Sequence, residues 1–424
     1  MFVTAQRVTD VLVVGGGPAG SSAAYWAAKA GLNVLLLERE TMPRERVCGD
    51  ALTPKAAGQL YDMGLEEATK EMHRHFGLRM TARGRSIDLD WPGDHAHPDH
   101  GLVIRRSRLD ALLNSNAVKA GAEIWTGVEV EDPIVEYGHL RGCRAVGNGT
   151  GTGPEGDLEV RAKFVIIADG PISHFGRALG TARSRTYAQG LAIRGYFQCE
   201  RHMENQLELV FDLRNKSGDE LPGYGWVFPV GDGSVNVGVG LLSHHFGNEA
   251  ISLEDLFEHW VSQIPSNWEI NLQNIEDKPL SGRLPMGGSV QPRSGPNWLV
   301  VGDAAGSVNP FNGDGVEPAL NNGRLAASVI SAAIATGDGL ELRKYEAELE
   351  LSYDRYYKLG RIATKALGRP GLMRKLTLLG IQSRVVTELA LRISSNLINN
   401  DAGGTESVYQ VATQLARLVP DRDE

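Results

Sequence analysis

Three glycines near the start of the chain are spaced to bind a phosphate group. Gly15, Gly17 and Gly20 form the pattern G-x-G-x-x-G directly after the apolar run 10–14. The first glycine permits a tight turn, the second lets backbone approach a pyrophosphate, and the third lets the next helix pack closely. Glu38 ends a second apolar run, about 20 residues on, where an acidic side chain accepts a bond from a ribose hydroxyl. This order of strand, glycines, helix, strand and acid predicts a dinucleotide-binding βαβ unit.

A polar loop after Glu38 holds Cys48, which stands beside Gly49. A free cysteine usually packs as an inert small group, so the loop alone leaves a functional role and a filler role open. The arginines of this loop are suited to phosphate. Thr53 is expected to cap a helix that starts at Pro54.

Two further positions leave alternatives open. Arg106 stands four residues before Asp110 at a predicted strand-to-helix junction, so it either binds the cofactor or forms a surface ion pair. The segment DHAHPDH, residues 94–100, contains three histidines that suit either a metal site or a solvated polar loop. We favour the loop and predict no metal site.

Later apolar runs end in the same kind of polar turn. The run FVIIAD at 164–169 ends in Asp169 and glycine, and NWLVV at 297–301 is followed by Gly302 and Asp303. Acidic residues at the carboxyl ends of parallel strands lie at the ligand edge of a sheet. A helix is then expected from about Glu317 to Thr336, and its N-terminus can stabilise negative charge.

Three aromatic residues alternate along one predicted strand. Tyr224, Trp226 and Phe228 are followed by a glycine turn at 231–233 and a returning run at 234–239, which predicts a hairpin. Because alternate residues share a face, the three side chains form either an apolar wall for a substrate or an ordinary aromatic sheet face.

The composition limits the class of protein. The chain has 424 residues and a formal net charge of −9, which argues against nonspecific nucleic-acid binding. Its three cysteines form no disulfide framework, so a cytoplasmic location is expected, and no apolar run reaches the roughly 20 residues that span a bilayer. Residues 355–384 hold eight lysines and arginines and no acid. This predicted helical segment suits either an anionic membrane surface or a solvated helix face.

Three stretches together resemble the FAD-binding pattern of the para-hydroxybenzoate-hydroxylase-like flavoproteins: GGGPAG at 15–20, ADG at 168–170 and GDAAGSVNPFNGDG at 302–315. Within that superfamily, YxWxFP at 224–229, followed after eight residues by GxG at 238–240, resembles the geranylgeranyl reductases. The stretches CGDALTP at 48–54 and LPMGG at 284–288 are similar to the menaquinone reductases, which saturate one isoprene unit of a quinone tail.

The resemblance implies an α/β fold with a Rossmann-type parallel sheet, an antiparallel-sheet substrate domain and a C-terminal helical region. It implies a discontinuous FAD-binding domain at 1–75, 101–182 and 281–345, a substrate domain at 76–100 and 183–280, and helices over 346–424. The implied residues for the pyrophosphate and ribose are Gly15, Gly17, Pro18, Ala19, Gly20, Glu38 and Arg39. Those for the flavin, its phosphates and the adenine are Cys48, Gly49, Arg106, Val128, Asp303, Gly315 and Val316. The chain departs from the family pattern at Glu317 and Pro318, which affects the expected start of the last helix.

The resemblance also implies an activity, namely FAD-dependent saturation of an isoprenoid C=C bond in a menaquinone tail or a geranylgeranyl group. Tyr224, Trp226 and Phe228 would line the prenyl channel, and Cys48, Tyr224 and Trp226 are the implied catalytic residues. The alternative is a flavin monooxygenase or hydroxylase on the same fold. No second G-x-G-x-x-G follows a strand, so the electron donor is expected to be a visiting reductant, a protein or a quinol. The expected partners are an isoprenoid lipid and the inner membrane surface.

Overall fold

The computed structural model describes residues 5–93, 97–242, 252–367 and 383–397. In chain order its strands are β1 (Ala5–Val14), β2 (Val34–Glu38), β3 (Ala51–Leu52), β4 (His73–His75), β5 (Gly77–Ala82), β6 (Arg85–Asp90), β7 (Gly101–Val103), β8 (Glu123–Thr126), β9 (Val128–Glu136), β10 (His139–Gly147), β11 (Gly156–Ile167), β12 (Ala182–Arg183), β13 (Gln189–Gln198), β14 (Gln206–Val210), β15 (Gly223–Pro229), β16 (Ser234–Leu242), β17 (Leu280–Pro285), β18 (Val290–Gln291) and β19 (Trp298–Val300). Its α-helices are α1 (Pro18–Lys29), α2 (Pro54–Asp62), α3 (Glu66–Thr69), α4 (Arg106–Lys119), α5 (His174–Ala178), α6 (Leu253–Gln263), α7 (Val316–Thr336), α8 (Arg343–Leu349), α9 (Arg355–Leu367) and α10 (Arg384–Ser394).

The first strand lies near the centre of a mixed sheet with the order β8-β2-β1-β11-β10-β9, and β19 also pairs with β11. The β8–β2, β2–β1, β1–β11 and β11–β19 pairs are parallel, whereas β10 runs antiparallel to both of its neighbours. The continuous apolar runs of β1 and β2 suit this place, because a central parallel strand is buried on both faces. The parallel strands bring their carboxyl ends to one edge, which is the ligand edge of such sheets.

Helices cover one face of this sheet. Val11 and Val13 of β1 pack with α1, α4 and α7, whereas Leu12 and Val14 pack with residues of β9, β10 and α5. The helices α1 and α7 approach closely because Gly323 has no side chain, and a Cβ there would lie 2.8 Å from the backbone nitrogen of Ala23. The two helix starts that the sequence predicts therefore lie side by side.

A second sheet has the order β17-β13-β16-β15-β14-β5-β6. Its pairs are antiparallel except for β14 with β5. The helix α6 covers one face, where Trp260 lies over Gly225 and Val227 belongs to the same apolar core. The other face of β15 is turned toward loops of the first sheet. A third, small sheet has the order β3-β7-β4.

Most elements agree with the sequence analysis. Thr53 caps α2, accepting a bond from the Ala56 N–H, and β15 and β16 form the predicted hairpin. The α-helix expected near Glu317 begins one residue earlier, at Val316. The glycine- and threonine-rich stretch 147–156 predicts a mobile loop, and its mobility stays a prediction; Thr152 in it donates a hydrogen bond to the Ile124 carbonyl of β8 at 2.9 Å.

Domain boundaries remain a prediction. The strand β17, which the sequence analysis groups with the FAD-binding segments, pairs with β13 at the edge of the second sheet. The described parts of the C-terminal region are α8, a π-helical turn at Glu350–Asp354, α9 and α10. The residues Gly368, Arg369, Pro370 and Gly371 predict a break in the C-terminal helical segment, and they lie outside the described ranges.

Candidate functional site

The glycine turn after β1 has one glycine whose missing side chain is not explained by protein packing. Gly15 has φ +103°, and a Cβ at Gly15 or Gly20 would overlap backbone carbonyl groups. A Cβ at Gly17 would meet only Arg44 Nη2, at an ordinary 3.5 Å. Gly17 is also the N-cap of α1, and neither a side-chain cap nor an acidic residue occupies this first turn. The open position beside uncapped N–H groups and an arginine fits an anionic group.

Glu38 lies directly beneath this turn. Its Oε2 accepts a bond from the Gly16 N–H at 2.7 Å, and its Oε1 accepts one from the Glu40 N–H at 3.0 Å. A carboxylate has about four acceptor positions, so these bonds leave capacity for a ribose hydroxyl. Arg39 is mostly exposed beside Glu40, and its predicted role toward the ribose stays a prediction.

Two arginines converge on one buried carboxylate behind the turn. Asp110 is fully buried, and its side chain accepts two bonds from Arg106, at 3.0 and 3.2 Å. Arg44 Nη2 lies 3.3 Å from Asp110 and 3.4 Å from Glu38. Burial acts to lower the pKa of Arg106, but the Asp110 carboxylate acts against it and the pKa is raised. The ion pair with Asp110 therefore exists but is buried, so the surface alternative is wrong.

The Cys48 loop lies against this arginine pair. The residue Cys48 is partly exposed, but its sulfur is enclosed: Arg106 hydrogen-bonds to it, and Sγ accepts a bond from the Asp50 N–H at 3.3 Å. Burial raises the pKa of the Cys48 thiol to about 11, although Arg106 acts in the opposite direction. The thiol is therefore protonated at neutral pH, and it is not an activated nucleophile.

Asp50 anchors the same loop, although the sequence analysis gave it no role. It is fully buried with φ +64°, a conformation that aspartate tolerates better than most residues. Its Oδ1 accepts a bond from the Arg106 N–H at 3.1 Å, and its Oδ2 accepts bonds from Tyr196 and Asn236. Burial raises the pKa of Asp50 to about 6. Sequence could not reveal partners that lie on distant strands.

The three aromatic residues of β15 form a row facing this loop. The Tyr224–Trp226 and Trp226–Phe228 ring centroids are each 6.1 Å apart, so the side chains share one face as predicted. A Cβ at Gly49 would lie 3.0 Å from the Phe228 ring and 3.7 Å from Trp226 Nε1. Gly49 thus lets the loop approach the row without a side chain between them.

Tyr224 connects the other end of the row to the loop before α7. Its hydroxyl donates a hydrogen bond to the Asn312 carbonyl at 2.6 Å. Burial raises the pKa of Tyr224 to about 12, with a further contribution from Asp314. The row therefore bridges the Cys48 loop and the last glycine-rich loop.

That last loop returns to the first glycine turn. A Cβ at Gly302 would lie 2.7 Å from Ala19 of α1, so Asp303 is held next to the first helix start. Burial raises the pKa of Asp303 to about 6, and Arg106 acts against this. At the start of α7, Asp314 Oδ1 accepts bonds from the Val316 and Glu317 N–H groups, at 3.0 and 3.3 Å. The Asp314 carboxylate thus already neutralises part of the positive charge expected at the helix start, at Gly315 and Val316.

The departure at Glu317 is accommodated by local partners. Its side chain is buried and accepts bonds from Gln59 at 3.0 Å and Tyr353 at 2.9 Å. Lys55 lies 3.3 Å away and supplies positive charge. Glu317 therefore joins α7 to α2 and to the C-terminal helices, away from the glycine turn.

Two other predicted positions lie apart from these loops. Val128 is the first residue of β9, and its side chain is buried in the apolar core. The contact expected between its backbone and adenine stays a prediction. His100 has chain partners on both ring nitrogens, Tyr61 and Asp99, each at 3.0 Å. Within the described residues, no group of three or more potential ligands is placed to hold a metal ion, and no helix is long and apolar enough to cross a membrane. Residues 94–96 of the histidine segment lie outside the described ranges.

Known proteins resemble both the first part of this chain and nearly its full length. Residues 8–194 match the family model described as an FAD binding domain. A menaquinone reductase of Mycobacterium tuberculosis is 36% identical over 415 residues, covering 97% of each chain. The chain belongs to the geranylgeranyl reductase family of FAD-dependent oxidoreductases.

Other members of the family agree with this placement. Digeranylgeranylglycerophospholipid reductase 2 of Methanosphaera stadtmanae is 30% identical over 358 residues, covering 82% of this chain and 85% of that protein. The crystal structure of a geranylgeranyl bacteriochlorophyll reductase-like protein of Thermoplasma acidophilum superposes with a TM-score of 0.75 at 25% identity, over 99% and 98% of the chains. FAD is the cofactor, and the uncapped start of α1 with the open position at Gly17 fits its pyrophosphate.

Proposed function

We propose that the chain saturates one C=C bond of an isoprenoid lipid and that a menaquinone side chain is its substrate, with a geranylgeranyl group as the other isoprenoid to test. The observation that carries this proposal is the aromatic row of Tyr224, Trp226 and Phe228, which packs against both the Cys48 loop and the loop before α7. The names of the relatives support the substrate class.

The cofactor and the residues of the site have different roles in the proposed reaction. FAD supplies hydride chemistry when it is bound and reduced. We propose that Gly17, Arg44 and the start of α1 hold its pyrophosphate and that Asp303 holds the chain that joins pyrophosphate to flavin. The aromatic row offers apolar contact to a prenyl chain and excludes water. Its ring faces also favour the positive charge that develops as an isolated alkene takes up a proton.

Cys48 is our first choice of proton donor, and Tyr224 is the second. Both groups are protonated at neutral pH, and burial raises the pKa of each further above its ordinary value. The Tyr224 proton is already donated to the Asn312 carbonyl, whereas Cys48 Sγ accepts a bond and keeps its own proton available. We therefore expect Cys48→Ala to slow turnover more than Tyr224→Phe, measured as the rate of tail saturation.

An anaerobic single-turnover experiment tests the function. Holoenzyme is reduced with dithionite and mixed with menaquinone, and the lipid is then analysed by mass spectrometry. Because the quinone ring can itself accept electrons, flavin reoxidation alone is insufficient. The expected product keeps the mass of two added hydrogen atoms after the ring is reoxidised in air. A geranylgeranyl lipid without a quinone ring is the matched substrate. An unchanged tail in both lipids, with oxygen consumed in the presence of an aromatic substrate, would support a hydroxylase instead.

We also propose that the chain works at a membrane surface through α10. Val385 and Val386, at the start of this helix, are 66% and 50% exposed beside Arg384. Exposed apolar residues next to basic ones suit the boundary of an anionic bilayer. Changing both valines to glutamate should reduce cosedimentation with anionic vesicles, whereas Val118→Glu, at another exposed valine on α4, should not. Equal sedimentation of the two variants would contradict the proposal.

A further inference from the structure

Asn236 is a fully buried amide at the centre of the candidate site, and neither the sequence analysis nor any comparison assigns it a role. It lies on β16 directly across from Phe228. Its neighbours in the chain, Val235 and Val237, point to the opposite face and pack in the core under α6. A buried polar group in an otherwise apolar strand is costly unless its hydrogen bonds are made.

Three hydrogen bonds fix the orientation of the Asn236 side chain. Its Nδ2 donates to the Cys48 carbonyl and to Asp50 Oδ2, each at 2.8 Å, and its Oδ1 accepts from Trp226 Nε1 at 2.9 Å. A carbonyl and an ionised carboxylate can only accept, whereas an indole nitrogen can only donate. A flipped amide would therefore lose every one of these bonds.

Asn236 consequently links two parts of the site that belong to different sheets. On one side is the Cys48 loop, which Asp50 ties to the N-terminus of α4 through the Arg106 N–H and to β13 through Tyr196. On the other side is the indole at the centre of the aromatic row. Among the described residues, the Asn236 side chain hydrogen-bonds both to Trp226 and to this loop.

We propose that Asn236 is a positioning residue that fixes the indole of Trp226 relative to Cys48 and so sets the width of the prenyl site. This proposal rests on the proposed function for its kinetic consequence. Misplacement by about 1 Å can cost on the order of a hundredfold in rate. Asn236→Ala should therefore lower kcat by about ten- to a hundredfold while FAD remains bound and KM changes little.

Asn236→Asp gives a second signature that a structural defect would not produce. The new carboxylate would face the Asp50 carboxylate and the Cys48 carbonyl, with Arg106 of α4 and with Arg194 and Tyr196 of β13 as the other polar groups around Asp50. Ionising two adjacent carboxylates at once is costly, so the pKa of one of them is raised and the pair takes up a proton as the pH falls. Activity of this variant should rise as the pH falls from 8 to 6, since protonation restores one donor toward the loop. A dependence of activity on pH that parallels that of the parent protein would overturn the proposal.

A measurement without turnover separates this proposal from the proposed function. Cys143 and Cys199 are buried and Cys48 is partly exposed, so a coloured aromatic disulfide reagent should report Cys48 first, with Cys48→Ala as the blank. Asn236→Ala should speed this labelling about tenfold, because the amide holds the loop. Val237→Ala, the next residue on the opposite face, is the matched control and should not. Unchanged labelling in Asn236→Ala contradicts the positioning role, whereas faster labelling with no lipid reduced by the parent protein contradicts only the proposed function.

Discussion

Gly17 and Gly20 should respond differently to the same added side chain. A Cβ at Gly17 makes only an ordinary contact with Arg44, whereas one at Gly20 would overlap the Gly15 carbonyl. Gly17→Val should therefore give a folded but colourless protein, because the side chain occupies the place of the pyrophosphate. Gly20→Val should reduce the soluble yield itself. Flavin absorbance per folded protein, with folding followed by circular dichroism, distinguishes the two. A yellow Gly17→Val protein would remove this turn from the FAD site.

Asp50 should make the stability of the protein depend on pH near 6. Burial raises the pKa of Asp50 to about 6 in the folded protein, against about 3.9 in an unfolded chain. The folded state then binds the proton more tightly, so the cost of this buried charge is present above pH 6 and is relieved as the pH falls. Relative to Asp50→Asn, the parent should gain about 1 kcal/mol of unfolding free energy between pH 7.5 and 5.

Urea unfolding of the apoprotein at both pH values measures this gain. Asp157→Asn, at an exposed position, is the control and should show no comparable change in the difference. A gain of the opposite sign for Asp50 would mean that its charged form is favoured by folding.

Residue-level predictions from sequence succeeded where the relevant partners are near in the chain. The Thr53 cap and the single face of Tyr224, Trp226 and Phe228 follow from local spacing and are confirmed. The roles of Asp50 and Asn236 did not follow, because the bonds from Tyr196 and Asn236 to Asp50 join residues more than a hundred positions apart in the chain. Nothing in the spacing of single polar residues shows which of them folding will bring together.

At the scale of the element, the hairpin β15–β16 explains the spacing of its aromatic and glycine residues. Trp226 pairs across the hairpin with Gly238, and Tyr224 pairs with Gly240. A Cβ at Gly238 would overlap the indole, so the glycine provides the flat surface on which Trp226 lies. YxWxFP and GxG are therefore two halves of one cross-strand arrangement, and their separation is set by the turn between them.

The two glycines of this hairpin provide a matched pair for a test. Gly238→Ala should destabilise the protein by about 1–3 kcal/mol, because the added methyl forces the indole or the strand to move. Gly240→Ala should be nearly neutral, since the nearest atom to its Cβ is 3.7 Å away. Thermal unfolding of the holoenzyme and the rate of tail saturation measure both effects. Similar losses in the two variants would show that generic strain, not the indole contact, is responsible.

Sequence predicted the central elements better than their ends. Apolar runs identified β1, β2, β19 and the last part of β11, since buried parallel strands carry a continuous apolar signal. The first half of β11, which pairs with β10 where both strands carry charged residues, gave no such signal. Its extension is decided by pairing with a neighbour and not by its own composition.

At the scale of the molecule, the two sheets meet through the same loops that form the candidate site. Arg105, which lies between β7 and α4, forms ion pairs with Asp232 and with Glu276, each at 2.8 Å. Its guanidinium lies 4.1 Å from the centroid of the Tyr196 ring, which belongs to β13 of the second sheet. The fold class and the cofactor followed from three separated motifs because each motif has a local geometric reason. The contact surface between the two sheets did not follow from the sequence, because it depends on side chains of both sheets.

The pairing of β1 with β11 and the packing of α1 against α7 have a consequence for protein synthesis. The phosphate-binding turn at residues 15–20 is translated well before its neighbour Ala168 and long before the helix that completes the pocket, Val316–Thr336. Until α7 has been translated, the nascent chain holds an unfinished nucleotide pocket, and the aromatic strand β15 lacks the loop before α7 that contacts Tyr224. Flavin capture is therefore expected to follow the synthesis of α7, so that the cofactor binds a chain whose first sheet can already be complete.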